Sequence, residues 1–161
     1  MTSSSSHPAN ALTTPPEPYP RAQRQRLLAL SAFETLRSQW ETLDVSCTYR
    51  CVRGPEVGMA MVRGRTGATG NAFNLGEMTL ARASVALADG TLGHGWVSGR
   101  NRRHAELIAV IDACTQHERW RARIDDTLLP ALEHALAVRR TAAAETTAST
   151  RVDFFTMVRG E

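Results

Sequence analysis

Two alternating runs on either side of Asp89-Gly90 constrain this chain more than any other feature. Residues 79–87 set Thr79, Ala81, Ala83, Val85 and Leu87 on alternate positions, and residues 92–97 continue after a short connection that holds Asp89-Gly90. A period of two puts such side chains on one face of a strand, and Asp-Gly suits the turn whose twist matches a hairpin. An antiparallel pair with one face available to a core follows. Residues 45–52 alternate too, with Val45, Cys47, Tyr49 and Cys51 on one side, and residues 57–62 set Met59 and Met61 together. Gly54-Pro55-Glu56 between these runs reads as a turn, which predicts a second hairpin. Residues 72–75 suggest a further short strand.

Helical periodicity brackets these strands. Leu27, Leu30, Phe33, Leu36 and Trp40 recur every three or four residues, as one face of an amphipathic helix requires. A second helix opens near residues 99–101, because Leu107, Ile108, Ile111 and Cys114 then share a face. Residues 119–123, rich in arginine, read as a break. Residues 126–140 form a third helix, with Pro130 in its first turns, where a missing N–H does least harm. Hairpins bracketed by helices imply an α+β domain with an antiparallel sheet covered on one face.

Composition sets the outer limits. Residues 1–22 hold four consecutive serines and five of the seven prolines, and are expected to be a disordered tail. Residues 23–140 then form the domain, and residues 141–161 an Ala/Thr linker followed by a C-terminal docking segment. In that last segment Val152, Phe154, Phe155 and Met157 are an apolar cluster suited to a subunit interface. No apolar run approaches the roughly 18 residues that a membrane span needs, and no secretory signal pattern opens the chain, so a cytoplasmic place is expected. Cys47, Cys51 and Cys114 are odd in number and lack metal-site spacing, which favours buried free thiols and no metal.

The basic side chains are the candidates for chemistry. All nineteen Lys or Arg residues are arginine, with a net charge of +3, so forked donors for phosphate or carboxylate are plentiful. Arg100, Arg102 and Arg103 crowd the predicted helix start, where unpaired backbone N–H groups already concentrate positive charge. A phosphate-bearing ligand, the carboxylates of a partner, or solvent with counterions would compensate. His104 in the same turn either caps and packs or, beside three cations, titrates low and acts as a neutral acceptor. The glycines of residues 64–76 could bring backbone amides to a phosphate. They lack the lysine and spacing of a Walker loop, so a long hairpin connection is the other reading. Nucleic acid is disfavoured, since no aromatic platform interleaves the basic residues and no helix-turn-helix or zinc-finger pattern occurs.

Several stretches also resemble one family closely. Gly67-Ala68-Thr69-Gly70, Leu75-Gly76-Glu77, Asp89-Gly90-Thr91-Leu92-Gly93, Trp96-Val97, Gly99-Arg100, His104-Ala105-Glu106 and Ile111-Asp112-Ala113 look like the G subunit of carbon-phosphorus lyase. The ending, Arg151-Val152-Asp153-Phe154-Phe155-Thr156-Met157-Val158-Arg159-Gly160, resembles that family's C-terminus. Asn101 stands where the family often has an acid, which leaves the three arginines less compensated.

The resemblance implies a non-autonomous subunit of a transferase, inactive alone. It implies a core assembly with H, I and J subunits, two copies of each, joined by ATP-binding-cassette-like K and L subunits. With H, I and L, such a subunit supports transfer of the ribosyl triphosphate of MgATP to an alkylphosphonate, releasing adenine. MgATP would be a substrate of the complex, and no cofactor is expected on this chain alone. The I subunit would hold the nucleosidase-like chemistry, and the J subunit the later radical step. The alternative from another class is a small non-enzymatic module binding anions or nucleic acid through its arginines.

Overall fold

The computed structural model describes residues 19–149 apart from Ala68. The Ser/Pro-rich segment and the C-terminal segment with Val152, Phe154, Phe155 and Met157 lie outside the described residues. Two helices, α1 (Arg21–Leu30) and α2 (Phe33–Thr42), lead into three strands, β1 (Tyr49–Arg65), β2 (Ala72–Leu87) and β3 (Leu92–Ser98). Helices α3 (Arg102–Cys114), α4 (Glu118–Arg123) and α5 (Leu129–Ser149) follow, the last two joined by a wide turn at Ile124–Leu128. The strands pair as an antiparallel meander, β1-β2-β3. The expected α+β class is what the chain adopts, with helices on one face of the sheet.

Register explains the principal departures from expectation. Gly54-Pro55-Glu56 is no turn. Tyr49 pairs with Leu87 and Arg65 with Ala72, so one strand runs through the dipeptide. Two irregularities, between Cys51 and Arg53 and between Arg53 and Glu56, absorb the extra residues there as bulges. Proline donates no ladder hydrogen bond, and a bulge on an edge strand is where that omission is harmless. The expected strands at residues 72–75 and 79–87 fuse into β2, with Leu75 as an extra residue opposite the Val62–Arg63 step. The glycine-rich connection is the tip of this β1–β2 hairpin.

The helices depart in three places. The periodic stretch containing Leu27 to Trp40 is cut at Ser31, whose extended backbone (ψ 151°) ends α1, while its Oγ donates to the Leu27 carbonyl at 2.7 Å. Residues 119–123, read as a break, lie in α4. Residues 141–149, read as linker, prolong α5, with Thr141, Thr146 and Thr147 donating back to carbonyls four residues earlier. Order also begins sooner than residue 23: Tyr19 donates its hydroxyl to Glu133 (3.1 Å), and Arg21 opens α1.

Helix α3 is the centre of the packing. Ala105, Ile108, Ala109, Ile111, Ala113 and Cys114 are wholly buried, between the sheet and a second helical layer of α1, α5 and the wide turn. Burying each isoleucine contributes about 1.5–3 kcal/mol. Towards the sheet the helix presents alanines at every fourth residue, and β3 answers with Gly93 and Gly95. A Cβ on Gly95 would lie 2.7 Å from Ala109 N and still nearer the Ala105 carbonyl oxygen. One on Gly93 would lie 2.6 Å from Ala113 N. The glycines are therefore required by closeness of helix to strand.

The outer edge of β3 is sealed by polar groups. His94 donates its N–H to Asp112 (2.9 Å) and accepts from Gln25 Nε2 (2.9 Å), which satisfies an edge strand's loose backbone groups. Asp112, almost fully buried, also takes a two-pronged pair from Arg21, Nε to Oδ1 at 2.9 Å and Nη2 to Oδ2 at 2.6 Å. Burial by itself would raise this carboxyl. The bonds from Arg21, His94 and Gln25 outweigh it and hold the group below its ordinary value.

Candidate functional site

The start of α3 is built by a tight exit from β3. Gly99 takes a positive φ of 93° that suits glycine, and its N–H bonds the Thr79 carbonyl at 2.8 Å. Asn101 then caps the helix, its Oδ1 accepting from the His104 N–H at 3.0 Å. The first turn holds no acid. Arg100, Arg102 and Arg103 are exposed around this positively poled end, and none of their side chains pairs with a described residue.

His104 does not join them. It is 4% exposed and turned inward, with Nε2 3.0 Å from the Leu28 carbonyl and its ring 5.8 Å from that of Phe33. Leu28 is the residue whose carbonyl loses its usual partner where the helix breaks at Ser31, so the histidine caps that break. This requires Nε2 to carry the proton and donate. Its pKa is lowered, as expected, but burial causes the shift where neighbouring cations were expected to. Of the two readings of His104, capping and packing is the one that the structure supports.

The cluster continues in a direction that sequence spacing could not give. Arg103 lines an open cleft of about 240 Å³ between α2, α3 and the start of β1, together with Arg37, Trp40, Tyr49, Glu106 and Leu107. Arg100 and Arg102 do not line it. Glu41 also lines the cleft, and Arg37 is paired with Glu34 (2.9 Å) and Glu41 (4.0 Å). Around the half-buried indole two cations thus face two carboxylates, and Arg103 is the cation left without an ion pair among the described residues. On the cleft's exposed side the Tyr49 hydroxyl donates to Glu106 Oε1 (3.1 Å), and the Cys51 thiol lies 3.6 Å from the same oxygen. Burial, then the Glu106 charge, push Tyr49 up to about 12, and the same two causes raise Cys51. Neither is an activated nucleophile near neutral pH. The alternation of Tyr49 and Cys51 was legible, but their partner on α3 was not.

The thiols divide. Cys114 is buried as expected, 3.3 Å from the Sγ of half-buried Cys47, and burial followed by that neighbour raises its pKa. Cys51 is exposed, contrary to the expectation of a buried thiol.

The family profile described as "Phosphonate metabolism protein PhnG" matches residues 19–160. The chain belongs to the PhnG family. A curated relative from Rhizobium meliloti (strain 1021), named alpha-D-ribose 1-methylphosphonate 5-triphosphate synthase subunit PhnG, is 44% identical over 145 residues. That alignment covers 88% of this chain and 90% of the relative. The PhnG match begins at Tyr19, the residue whose hydroxyl ties the chain to α5. It also spans the Phe154–Phe155 segment, which lies outside the described residues. Among the described residues no helix is long and apolar enough to cross a membrane.

Proposed function

We propose that this chain is a subunit of alpha-D-ribose 1-methylphosphonate 5-triphosphate synthase and takes part in phosphonate metabolism. The observation that carries the reading is the 44% identity, across nearly the whole of both chains, to a relative bearing that name. In the finer reading, the chain assembles with H, I and J subunits, two copies of each, and with K and L subunits. With H, I and L it supports attack of an alkylphosphonate on MgATP with loss of adenine.

The geometry agrees with a contributing role. Arg100, Arg102 and Arg103, exposed at the start of α3 and without an ion pair among the described residues, supply positive charge where a triphosphate, a phosphonate or a partner's carboxylates could sit. Tyr49 and Cys51 stay protonated near neutral pH and act there as hydrogen-bond donors to Glu106. His104, held in the core, serves the fold of this site from behind.

The test is reconstitution. The full-length chain, alone and co-purified with the H, I and L subunits, is given MgATP and methylphosphonate, and free adenine is followed by chromatography. Adenine release is expected from the mixture and not from the chain alone. Release by the chain alone, or an unchanged rate when it is left out, overturns the reading.

A further inference from the structure

Strand β3 pairs with β2 from Leu80 to Ala86, but β1 and β2 run on past it. Residues 59–65 and 72–79 therefore form a two-stranded arm about 20 Å long, with no third strand beside it among the described residues. Register assigns its faces. Met59 and Met61 continue the side of Val57 and Ala81, which faces α3 further down the sheet. Met78 and Phe73 lie on the opposite side, Phe73 packing across Gly64, and the extra residue Leu75 sits beside them. These five side chains are between 42% and 69% exposed.

An isolated two-stranded ribbon is marginal in water, and an apolar one invites association. Apolar groups on both faces mean that docking on a flat surface would leave one face wet. A groove that closes around the arm covers both. The arm's charge bears on the occupant: Arg63 and Arg65 near the tip outnumber the arm's one acid, Glu77, which pairs with Met61. Two copies laid arm to arm would bring like charges together, whereas an acidic rim would complement them.

We propose that this arm inserts into an apolar, acid-rimmed groove on a different subunit of the same complex, an inference that rests on the chain being such a subunit. The body from Leu80 to Ala86 onwards is anchored by α3, so the arm can be altered without disturbing the core. Met61 and Leu75 are the anchors, one from each face, and Arg63 and Arg65 set orientation.

Hydrogen exchange of the full-length chain, free and co-purified with the other synthase subunits, tests it directly. Amides of residues 59–65 and 72–79 are expected to exchange at least tenfold more slowly in the complex. The double variant Met61→Asp with Leu75→Asp is expected to reduce co-purification at least tenfold while the free chain melts within 2 °C of wild type. Arg63→Glu with Arg65→Glu is expected to reduce it at least threefold. If wild type assembles and releases adenine with the arm unprotected and the variants retained, the arm inference alone falls. If wild type fails to assemble and releases none, the subunit reading falls with it. Protection already present in the free chain and lost on truncation after Ser149 would make this chain's own C-terminal segment the occupant. Protection that grows with concentration of the free chain would name a second copy, and protection by anionic vesicles a membrane. Each of those three results overturns the proposal.

Discussion

Replacing Gly95 by alanine tests the central packing argument, because the added carbon has nowhere to go. Its nearest neighbours would be main-chain atoms of α3: the Ala105 oxygen and carbon, and Ala109 N at 2.7 Å. Main chain cannot rotate aside as a side chain would. Helix α3 also cannot retreat easily, since Ile108 and Ile111 are 0% exposed against the second helical layer. Overpacking of this kind costs typically about 1–3 kcal/mol, and a backbone clash belongs at the upper end. The stiffer unfolded chain returns about 0.4–1 kcal/mol, so a net loss of about 2 kcal/mol is expected. For a body of this size that corresponds to a fall in Tm of about 6–10 °C. Thermal unfolding followed by circular dichroism reads it. Two controls sharpen the result: Gly58→Ala, with open space around the new carbon, should change Tm by less than about 2 °C. Adding Ala105→Gly should not rescue Gly95→Ala, because the obstructing atoms are backbone. A Gly95→Ala protein melting within 1 °C of wild type would refute the close-approach account.

Asp112→Asn should destabilise by about 1–3 kcal/mol through weakened bonds from Arg21 and His94. Because the folded carboxyl lies below its ordinary value, its contribution is full above pH 3.8 and fades as pH falls through the folded value. Urea titrations of both proteins should therefore converge in strong acid. His104 is held neutral by burial, so stability should decline as pH drops below 6.5, the ordinary imidazole value, towards the lowered folded one. His104→Gln should flatten that decline; an identical pH profile in the variant would mean that another group titrates. Changing Arg100, Arg102 and Arg103 together to Gln should leave Tm unchanged or slightly higher, since cations at a helix start oppose its dipole. Adenine release by the assembled complex should fall at least tenfold, and full activity would reduce the cluster to solvated surface. Truncation after Ser149 should leave Tm of the free chain unchanged while abolishing co-purification, and a large fall in Tm would place that segment in the domain's own core.

Local periodicity was enough to recover much of the fold. The alternation about Asp89-Gly90, the stripe through Ile108 to Cys114, and Pro130 near a helix start all depend on neighbours a few residues apart, and each stands in the structure, while the stripe leading to Trp40 is helical on both sides of its break at Ser31. Tertiary pairing decided the rest. Gly-Pro is equally at home in a turn or in an edge bulge, and the partner strand selects between them, which is why β1 runs straight through Gly54-Pro55. The break at Ser31 depends on a carbonyl satisfied by His104, 76 residues away in the chain. The Ala/Thr stretch became helix because alanine is a strong helix former and its threonines bond back along the helix, so low complexity there did not mean a linker. For the candidate site, Arg100 to Arg103 were visible as a run of charge. Their separation from His104, and the meeting of Arg103 with Arg37, Trp40 and Tyr49, depend on how α2 and β1 lie against α3, a long-range packing outcome that no local spacing encodes.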